Sequence, residues 1–242
     1  MSNYKILLFD IDDTLIIDRA SIENGLREVF SSVGREYLKD VYYDWMRAES
    51  DFWDSYRNGG ISVPEEYNNG ASDGFGRNRS SWFRAQRIVR FMNVTDLGEA
   101  YRLLDLYEQG KMRVAQPMPG GLDLIKTLHG KYELIAATDE VHEVAISKLR
   151  LSGYDKYFSN VFSPLISGCI KPKPEYFMHI QKQIGGNLGD YLMIGNSPSS
   201  DIQLACNVGI DSCLLWTSQR LSPESPRPTY IINDISKLTN IL

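Results

Sequence analysis

From Pro117 to the C-terminus, short apolar runs alternate with amphipathic stretches. Five runs have the length of buried strands: Tyr132–Ala137, Val161–Ile166, Tyr191–Ile194, Cys213–Trp216 and Tyr230–Ile232. Helices are predicted around them, over Gly121–His129, Val141–Leu151, Glu175–Ile184, Ser200–Asn207 and Ile235–Leu242. Strands that alternate with helices form right-handed crossovers and a parallel sheet. The predicted fold class is therefore α/β, with a doubly wound parallel sheet.

One more apolar run, Ile6–Phe9, lies far from the others, near the N-terminus. A single strand cannot bury itself, so this run is expected to join the later sheet. Residues from about Asp18 to Lys111 have helical patterns and no convincing strand. We therefore predict a core domain of residues 1–17 and 113–242, interrupted by a helical domain of residues 18–112.

Composition narrows the possible partners. The chain has 242 residues, 43% of them hydrophobic, and a formal charge of −5, so no basic surplus favours nucleic acid as a partner. Without a run long enough to cross a membrane or a signal-peptide pattern, we expect a cytoplasmic protein with no membrane partner. The oligomeric state stays open. Cys169, Cys206 and Cys213 are expected to be reduced thiols, the last two in apolar surroundings typical of core packing.

Carboxylates crowd together where the first strand ends. Asp10, Asp12 and Asp13 fall within four positions, which costs electrostatic energy unless a cation compensates. Ligands of an open parallel sheet bind at the carboxyl ends of its strands. Polar residues that follow the other strands are therefore expected beside these carboxylates. They are Thr138, Asp139, Lys171, Asn196, Ser197 and Asp201.

These residue types suit phosphoryl transfer. The reaction needs cations and hydrogen-bond donors around the phosphoryl oxygens, an in-line nucleophile and a proton donor for the leaving oxygen. Asp10 can attack phosphorus, and Asp12 can protonate the leaving alcohol and then deprotonate the attacking water. Thr138 and Lys171 can hold the phosphoryl oxygens. Asp10, the acidic loop that ends at Asp201 and the phosphate offer the hard oxygen ligands that Mg²⁺ prefers.

Four segments, in order along the chain, resemble the motifs of the haloacid dehalogenase (HAD) superfamily of phosphatases. They are Asp10-Ile-Asp-Asp-Thr14, Thr138, Ile170-Lys-Pro-Lys-Pro-Glu-Tyr-Phe177 and Gly195-Asn-Ser-Pro-Ser-Ser-Asp201. The resemblance implies a Rossmann-like core with an inserted all-helical cap. It also implies that Asp10 is the nucleophile and Asp12 the general acid/base, with Mg²⁺ bound by Asp10 and by the backbone carbonyl of Asp12. Asn196 and Asp201 are the further candidate metal ligands.

Two positions depart from the family pattern. The last motif usually begins Gly-Asp, and that aspartate commonly binds Mg²⁺, whereas this chain has Asn196. An amide oxygen supplies no negative charge, so metal affinity should fall unless Asp201 or Asp13 compensates. The second motif more often has asparagine after the threonine, whereas this chain has Asp139. Asp139 is a candidate substrate-binding residue, although we favour its interpretation as the N-cap of the next helix.

The helical insertion is the expected source of substrate specificity. Phe52-Trp-Asp-Ser-Tyr-Arg-Asn-Gly59 is similar to the cap segment of YjjG-like bacterial nucleotidases, which dephosphorylate pyrimidine nucleoside monophosphates. Aromatic residues here can stack a nucleobase, but core packing is the favoured interpretation of each one. Those spaced along one helical face are Trp45, Phe52, Trp53 and Tyr56.

Two further features of the insertion have simple interpretations. The arginines of the basic cluster are Arg77, Arg79, Arg84, Arg87 and Arg90. Arg84 and Arg87 lie off the apolar face of a helix predicted from Trp82 onward, so a solvated face is favoured over a binding patch. The loop Asn58–Ser80 is rich in Gly, Asn and Ser and suits a mobile lid, with an ordinary surface loop as the default.

Three functions are compatible with this sequence. The favoured one is a Mg²⁺-dependent phosphatase of a small phosphorylated metabolite, with a pyrimidine nucleoside monophosphate as the leading substrate. The second is a catalytically impaired family member that binds a phosphorylated ligand without turnover, which only Asn196 favours. The third is a 2-haloacid dehalogenase. Asp12 argues against it, because displacement of halide needs no proton donor.

Overall fold

The computed structural model describes residues 4–67, 78–216 and 221–242. The chain divides into two compact units. The core unit comprises the described residues of Met1–Ala20 and Met112–Leu242, and the helical unit those of Ser21–Lys111. Part of the loop expected as a lid, together with Arg77, lies outside the described residues.

Eight strands are found in the described part of the chain. They are β1 (Ile6–Phe9), β2 (Ile16–Ile17), β3 (Gln116–Pro117), β4 (Glu133–Ala137), β5 (Asn160–Phe162), β6 (Tyr191–Gly195), β7 (Asp211–Leu215) and β8 (Tyr230–Ile232). Six of them form one parallel sheet in the order β5-β4-β1-β6-β7-β8, while β2 and β3 pair antiparallel. The predicted fold class and the placement of the first strand in the later sheet are confirmed.

The first strand lies in the middle of the sheet because both of its faces are apolar. Leu7 and Phe9 join the apolar cluster on one face, and Ile6 and Leu8 join the cluster on the other. This alternation follows from the two-residue repeat of a strand, and burial on both faces explains the continuous apolar run. The central position of β1 puts its carboxyl end beside those of β4 and β6.

Nine α-helices accompany these strands in the described residues. They are α1 (Arg19–Ser32), α2 (Val41–Arg57), α3 (Arg79–Met92), α4 (Leu97–Lys111), α5 (Gly121–Leu128), α6 (His142–Leu151), α7 (Pro164–Ser167), α8 (Pro174–Ile184) and α9 (Gln203–Val208). A π-helical turn, Pro198–Ile202, precedes α9, and a 3-10 helix, Ile235–Asn240, stands where the last α-helix was predicted. No described helix has the length and hydropathy of a membrane span.

One predicted strand is too long. The run Val161–Ile166 is a strand only as far as Phe162, and α7 follows. Pro164 explains the break, because it lacks the N–H that a sheet needs and its fixed φ suits the first turn of a helix. Apolar character alone does not distinguish these two states over a short run.

Aromatic packing fills the helical unit. Trp45 and Phe52 are fully buried, and the Trp45 ring lies 5.1 Å from that of Phe91, between centroids. Trp53 and Tyr56 are half-buried and contact Phe83. Core packing is therefore confirmed for Trp45 and Phe52.

The solvated interpretation of Arg84 and Arg87 is wrong. Nε of Arg84 lies 2.9 Å from Oε1 of Glu108 on α4, and Arg87 pairs with Glu49 on α2. Both arginine side chains are mostly buried. The charged ends reach carboxylates on neighbouring helices, and the pattern of a single helix does not reveal such partners.

The cysteines are free thiols, as predicted, but they are not packed alike. Cys213 is buried in β7, whereas Cys206 is exposed on α9, so its predicted core position is wrong. The buried residues of α9 are Leu204 and Ala205, and the next residue along the helix turns away from the sheet.

Candidate active site

Asp10 directly follows the central strand. Its backbone N–H donates to the carbonyl of Ile194 at 2.9 Å, which extends the pairing of β1 with β6 by one residue. The side chain is buried. The backbone of the sheet therefore fixes this carboxylate at the edge where the other strand ends meet.

Lys171 connects Asp10 with two other segments. Its ammonium donates to Oδ1 of Asp10 at 2.8 Å, to Oδ1 of Asp201 at 2.6 Å and to the carbonyl of Ala137 at 2.9 Å. Three acceptors use all three donors of a lysine. Burial tends to lower the pKa of Lys171, but the surrounding carboxylates, Asp10 first, hold it well above its usual value. Lys171 is therefore a fixed cation beside Asp10.

The second oxygen of Asp10 faces a different set of groups. The buried hydroxyl of Thr14 lies 3.3 Å from Oδ2 of Asp10 and 3.4 Å from Oδ1 of Asn196. The oxygens of Asp10 and Asn196 thus converge on one hydroxyl. Burial, which Lys171 partly offsets, raises the pKa of Asp10 well above its usual value, and the charge of Asp201 adds to the rise. A further cation at this place would relieve that cost.

Asp201 holds the lysine and its own loop together. Oδ1 accepts from Lys171, and Oδ2 accepts from the backbone N–H of Ser197 at 3.0 Å. The carboxylate packs directly on Gly195, where a Cβ atom would lie 2.2 Å from Oδ2 of Asp201. Both oxygens of this predicted metal ligand thus have protein partners, and its role toward a metal stays a prediction.

Thr138 and Asp139 follow β4 and lie in different environments. Thr138 is buried, and its hydroxyl oxygen accepts from the N–H of Glu140 at 3.1 Å. Asp139 accepts from the backbone N–H of Lys171 at 2.9 Å and from the hydroxyl of Ser200 at 3.0 Å. Its interpretation as a helix N-cap is wrong, because α6 begins later, at His142, without a side-chain cap. The carboxylate instead fixes the lysine loop, and its role in substrate binding is still a prediction.

A second buried lysine lies next to this group and was not foreseen. Lys148 on α6 donates to Oδ1 of Asp12 at 2.5 Å, to Oδ1 of Asp18 at 2.6 Å and to Oε2 of Glu140 at 2.9 Å. The three carboxylates have oxygens within 4.8 Å of one another, a spacing that also suits a metal ion. Here the ammonium binds all three. The signal in the sequence was a lysine one turn from Val144 and Ala145, on the apolar side of a predicted helix.

A cleft of about 470 Å³ opens in the core unit next to the site. Its lining includes Asp13 and Asn196 at the carboxylate end and the aromatic side chain of Trp216 after β7. Polar groups that meet an apolar wall are typical of small-molecule sites.

The order of these residues and the fold define the class of protein. The model of the haloacid dehalogenase-like hydrolase family matches residues 4–209, and the chain belongs to this family. It is therefore an enzyme of the hydrolase class, as the sequence motifs predicted.

Relatives of the chain extend over almost its whole length. It is 27% identical to the HAD-hydrolase YfnB of Bacillus subtilis, over 100% of this chain and 97% of the relative. It is 24% identical to the pyrimidine 5'-nucleotidase YjjG of Escherichia coli (98% and 96%) and 29% identical to PynA of Streptococcus pneumoniae, also a pyrimidine 5'-nucleotidase (99% and 95%). A crystal structure of YfnB, bound to magnesium, has a TM-score of 0.84 to this chain at 24% identity and covers 99% of both chains. The predicted resemblance to this superfamily is confirmed.

Proposed function

We propose that the protein is a phosphatase that hydrolyses a small phosphomonoester through a phosphorylated Asp10. The position of Asp10 carries this proposal. Oδ1 is held 2.8 Å from a buried ammonium, and Oδ2 lies 3.3 Å from the hydroxyl of Thr14, which is also 3.4 Å from Oδ1 of Asn196. A carboxylate with a cation on one side and an oxygen-lined space on the other suits attack on a phosphoryl group.

The first step transfers the phosphoryl group to the enzyme. An oxygen of Asp10 forms a bond to phosphorus while the bond from phosphorus to the ester oxygen breaks. Asp12, protonated at the start, gives its proton to that ester oxygen, which leaves as an alcohol. The hydroxyl of Thr138 donates to a phosphoryl oxygen, and the positive charge of Lys171 beside Asp10 stabilises the negative charge of the phosphoryl group. Asp12 ends the step as a carboxylate.

The second step restores the enzyme. The Asp12 carboxylate takes a proton from a water molecule, whose oxygen attacks the phosphorus of the aspartyl-phosphate. The acyl phosphate bond breaks, so that Asp10 returns as a carboxylate and inorganic phosphate leaves. Asp12 is protonated again, ready for the next substrate. The sum of both steps is one ester and one water converted into one alcohol and one phosphate.

The residues present fit a Mg²⁺ ion. Oδ2 of Asp10 and Oδ1 of Asn196 converge on the Thr14 hydroxyl, and the backbone carbonyl of Asp12 is the third protein ligand that we assign. All are hard oxygen donors, which Mg²⁺ prefers. When bound, the ion supplies positive charge that stabilises the phosphoryl oxygens.

The substrate we propose is a pyrimidine nucleoside monophosphate. Two relatives that match nearly the whole chain are named as pyrimidine 5'-nucleotidases. The relatives do not favour the impaired ligand-binding protein or the dehalogenase over this function.

A panel of phosphomonoesters tests the proposal. Pyrimidine nucleoside monophosphates, purine counterparts and sugar phosphates should be compared with Mg²⁺ and with a chelator. We expect hydrolysis that favours the pyrimidine compounds, requires Mg²⁺ and is lost in Asp10→Asn. The matched control is Asp123→Asn, the same change at an exposed position of α5. Activity that persists in Asp10→Asn or in chelator would contradict the mechanism, while equal rates on sugar phosphates would contradict only the substrate.

A further inference from the structure

We propose that Lys148 is the positioning residue of the acid/base carboxylate, and that its ammonium holds the side chain of Asp12 in the orientation from which Oδ2 reaches the leaving group. This inference rests on the proposed function, in which Asp12 protonates the leaving alcohol. It goes further, because it assigns a role to a lysine of α6 that lies outside the four sequence motifs.

The ammonium of Lys148 has one fixed position. The side chain is fully buried, and its three donors are used by Asp12, Asp18 and Glu140 at 2.5 to 2.9 Å. A buried ammonium is costly unless it is paired and hydrogen-bonded, so each of these three contacts is strongly favoured.

The Glu140 carboxylate and the backbone of Asp18 each have a hydrogen bond besides the contact with Lys148. Oε1 of Glu140 accepts from the backbone N–H of Val141 at 2.9 Å, so this side chain is fixed at the start of α6. The backbone N–H of Asp18 donates to Oδ1 of Asp13 at 3.1 Å, which fixes the backbone beside β2. Two acceptors of the Lys148 ammonium therefore belong to residues that have hydrogen bonds of their own.

Asp12 is the most accessible carboxylate of this cluster. Its side chain is 25% exposed, against 13% for Asp18 and 9% for Glu140. The ammonium holds Oδ1 of Asp12 at 2.5 Å, and this charge-assisted hydrogen bond restricts rotation of the carboxylate and so fixes the direction of Oδ2. A general acid must reach within about 3 Å of the oxygen that it protonates, and an anchored Oδ1 keeps Oδ2 from rotating away.

The decisive experiment compares two substrates that differ in their leaving group. An alkyl oxygen, as in a nucleoside monophosphate, needs a proton from Asp12, whereas the nitrophenolate of p-nitrophenyl phosphate leaves without one. The constant kcat/KM covers only the steps up to departure of this group. In Lys148→Met we expect kcat/KM for the nucleoside monophosphate to fall about 100-fold, the lower end of the usual range for a lost general acid. The fall for p-nitrophenyl phosphate should be less than about 5-fold.

Three further variants complete the test. Lys148→Arg should recover most of the activity on the nucleoside monophosphate, because it restores a cation to the cluster. Lys126→Met makes the same chemical change on α5, where the lysine pairs with the exposed Asp123, and should alter neither constant. If Lys148→Met does not fold, the pair Glu140→Gln and Glu140→Gln/Lys148→Met gives the same comparison with one buried charge fewer.

Equal losses on both substrates would show a structural role only and would overturn the inference. Unchanged constants in Lys148→Met would overturn it as well. Failure of the proposed function looks different, since the wild-type protein would then hydrolyse neither ester, or Asp10→Asn would remain active.

Discussion

Replacement of Lys171 by methionine should expose the cost of two buried carboxylates that share one cation. Asp10 and Asp201 are both buried, and each accepts from the Lys171 ammonium. Removal of one partner from such a cluster costs about 3–5 kcal/mol, a large part of the usual total of roughly 5–15 kcal/mol. The expected fall in Tm is on the order of 6–20 °C, at about 2–4 °C per kcal/mol for a chain of this size.

Asp201→Asn should be milder. It removes one charged hydrogen bond, worth about 1.5–3 kcal/mol, while Lys171 keeps Asp10 and the carbonyl of Ala137. In Lys171→Met alone, the buried carboxylate of Asp201 loses its ammonium partner. In the double variant Lys171→Met/Asp201→Asn, that buried negative charge is absent. The combined loss should therefore be smaller than the sum of the single losses by about 1–3 kcal/mol.

Urea unfolding of the wild type, both single variants and the double variant measures this coupling. A chelator should be present, so that a bound cation does not contribute to the free energy of unfolding. Lys173→Met, the same change at an exposed position of the same loop, should stay within about 0.5 kcal/mol of the wild type. Additivity within about 0.5 kcal/mol, or a cost of Lys171→Met below about 1 kcal/mol, would refute the reasoning.

Three more outcomes follow from the site and its surroundings. Gly195→Ala should lower the free energy of unfolding by about 1–3 kcal/mol in urea titrations, because its Cβ would lie 2.2 Å from the carboxylate of Asp201; a neutral result would mean that this carboxylate moves aside freely. Asn196→Asp should lower the Mg²⁺ concentration needed for half-maximal hydrolysis, since it adds a negative charge to the ligand set, and an unchanged or higher requirement would place Asn196 away from the ion. Burial raises the pKa of Cys213 to about 12, so a maleimide at pH 8 should label the exposed Cys206 and leave Cys213 unmodified until urea is added; rapid native labelling of Cys213 would contradict its burial.

The sequence predicted those parts of the site that depend on strand ends. An apolar run followed by Asp10 places a carboxylate at the edge of a parallel sheet, and the same logic brings Lys171 and Asp201 to it. These predictions hold because the backbone pairing of a sheet fixes where its strands end.

Predictions that depended on side-chain partners were less successful. Asp139 has the residue type of an N-cap, but the N–H of Lys171, a distant residue in the chain, competes for the same carboxylate. Arg84 has the pattern of a solvated residue, yet a glutamate on another helix pairs with it. In both cases a tertiary partner decides between two local states of similar energy, and a single sequence does not specify which helices become neighbours.

The short antiparallel pair of β2 and β3 has a consequence for how the inserted helices can change during evolution. Ile16 pairs with Pro117 and Ile17 with Gln116. The chain therefore leaves the core unit and re-enters it at this one pair of two-residue strands. The segment between these two strands is an insertion whose two ends are held together by the strand pair. Doubling the length of a flexible loop costs only about 0.6 kcal/mol of loop-closure entropy. The helices can therefore be enlarged, trimmed or exchanged while the register of the six central strands, and with it the chemistry at their ends, is inherited unchanged.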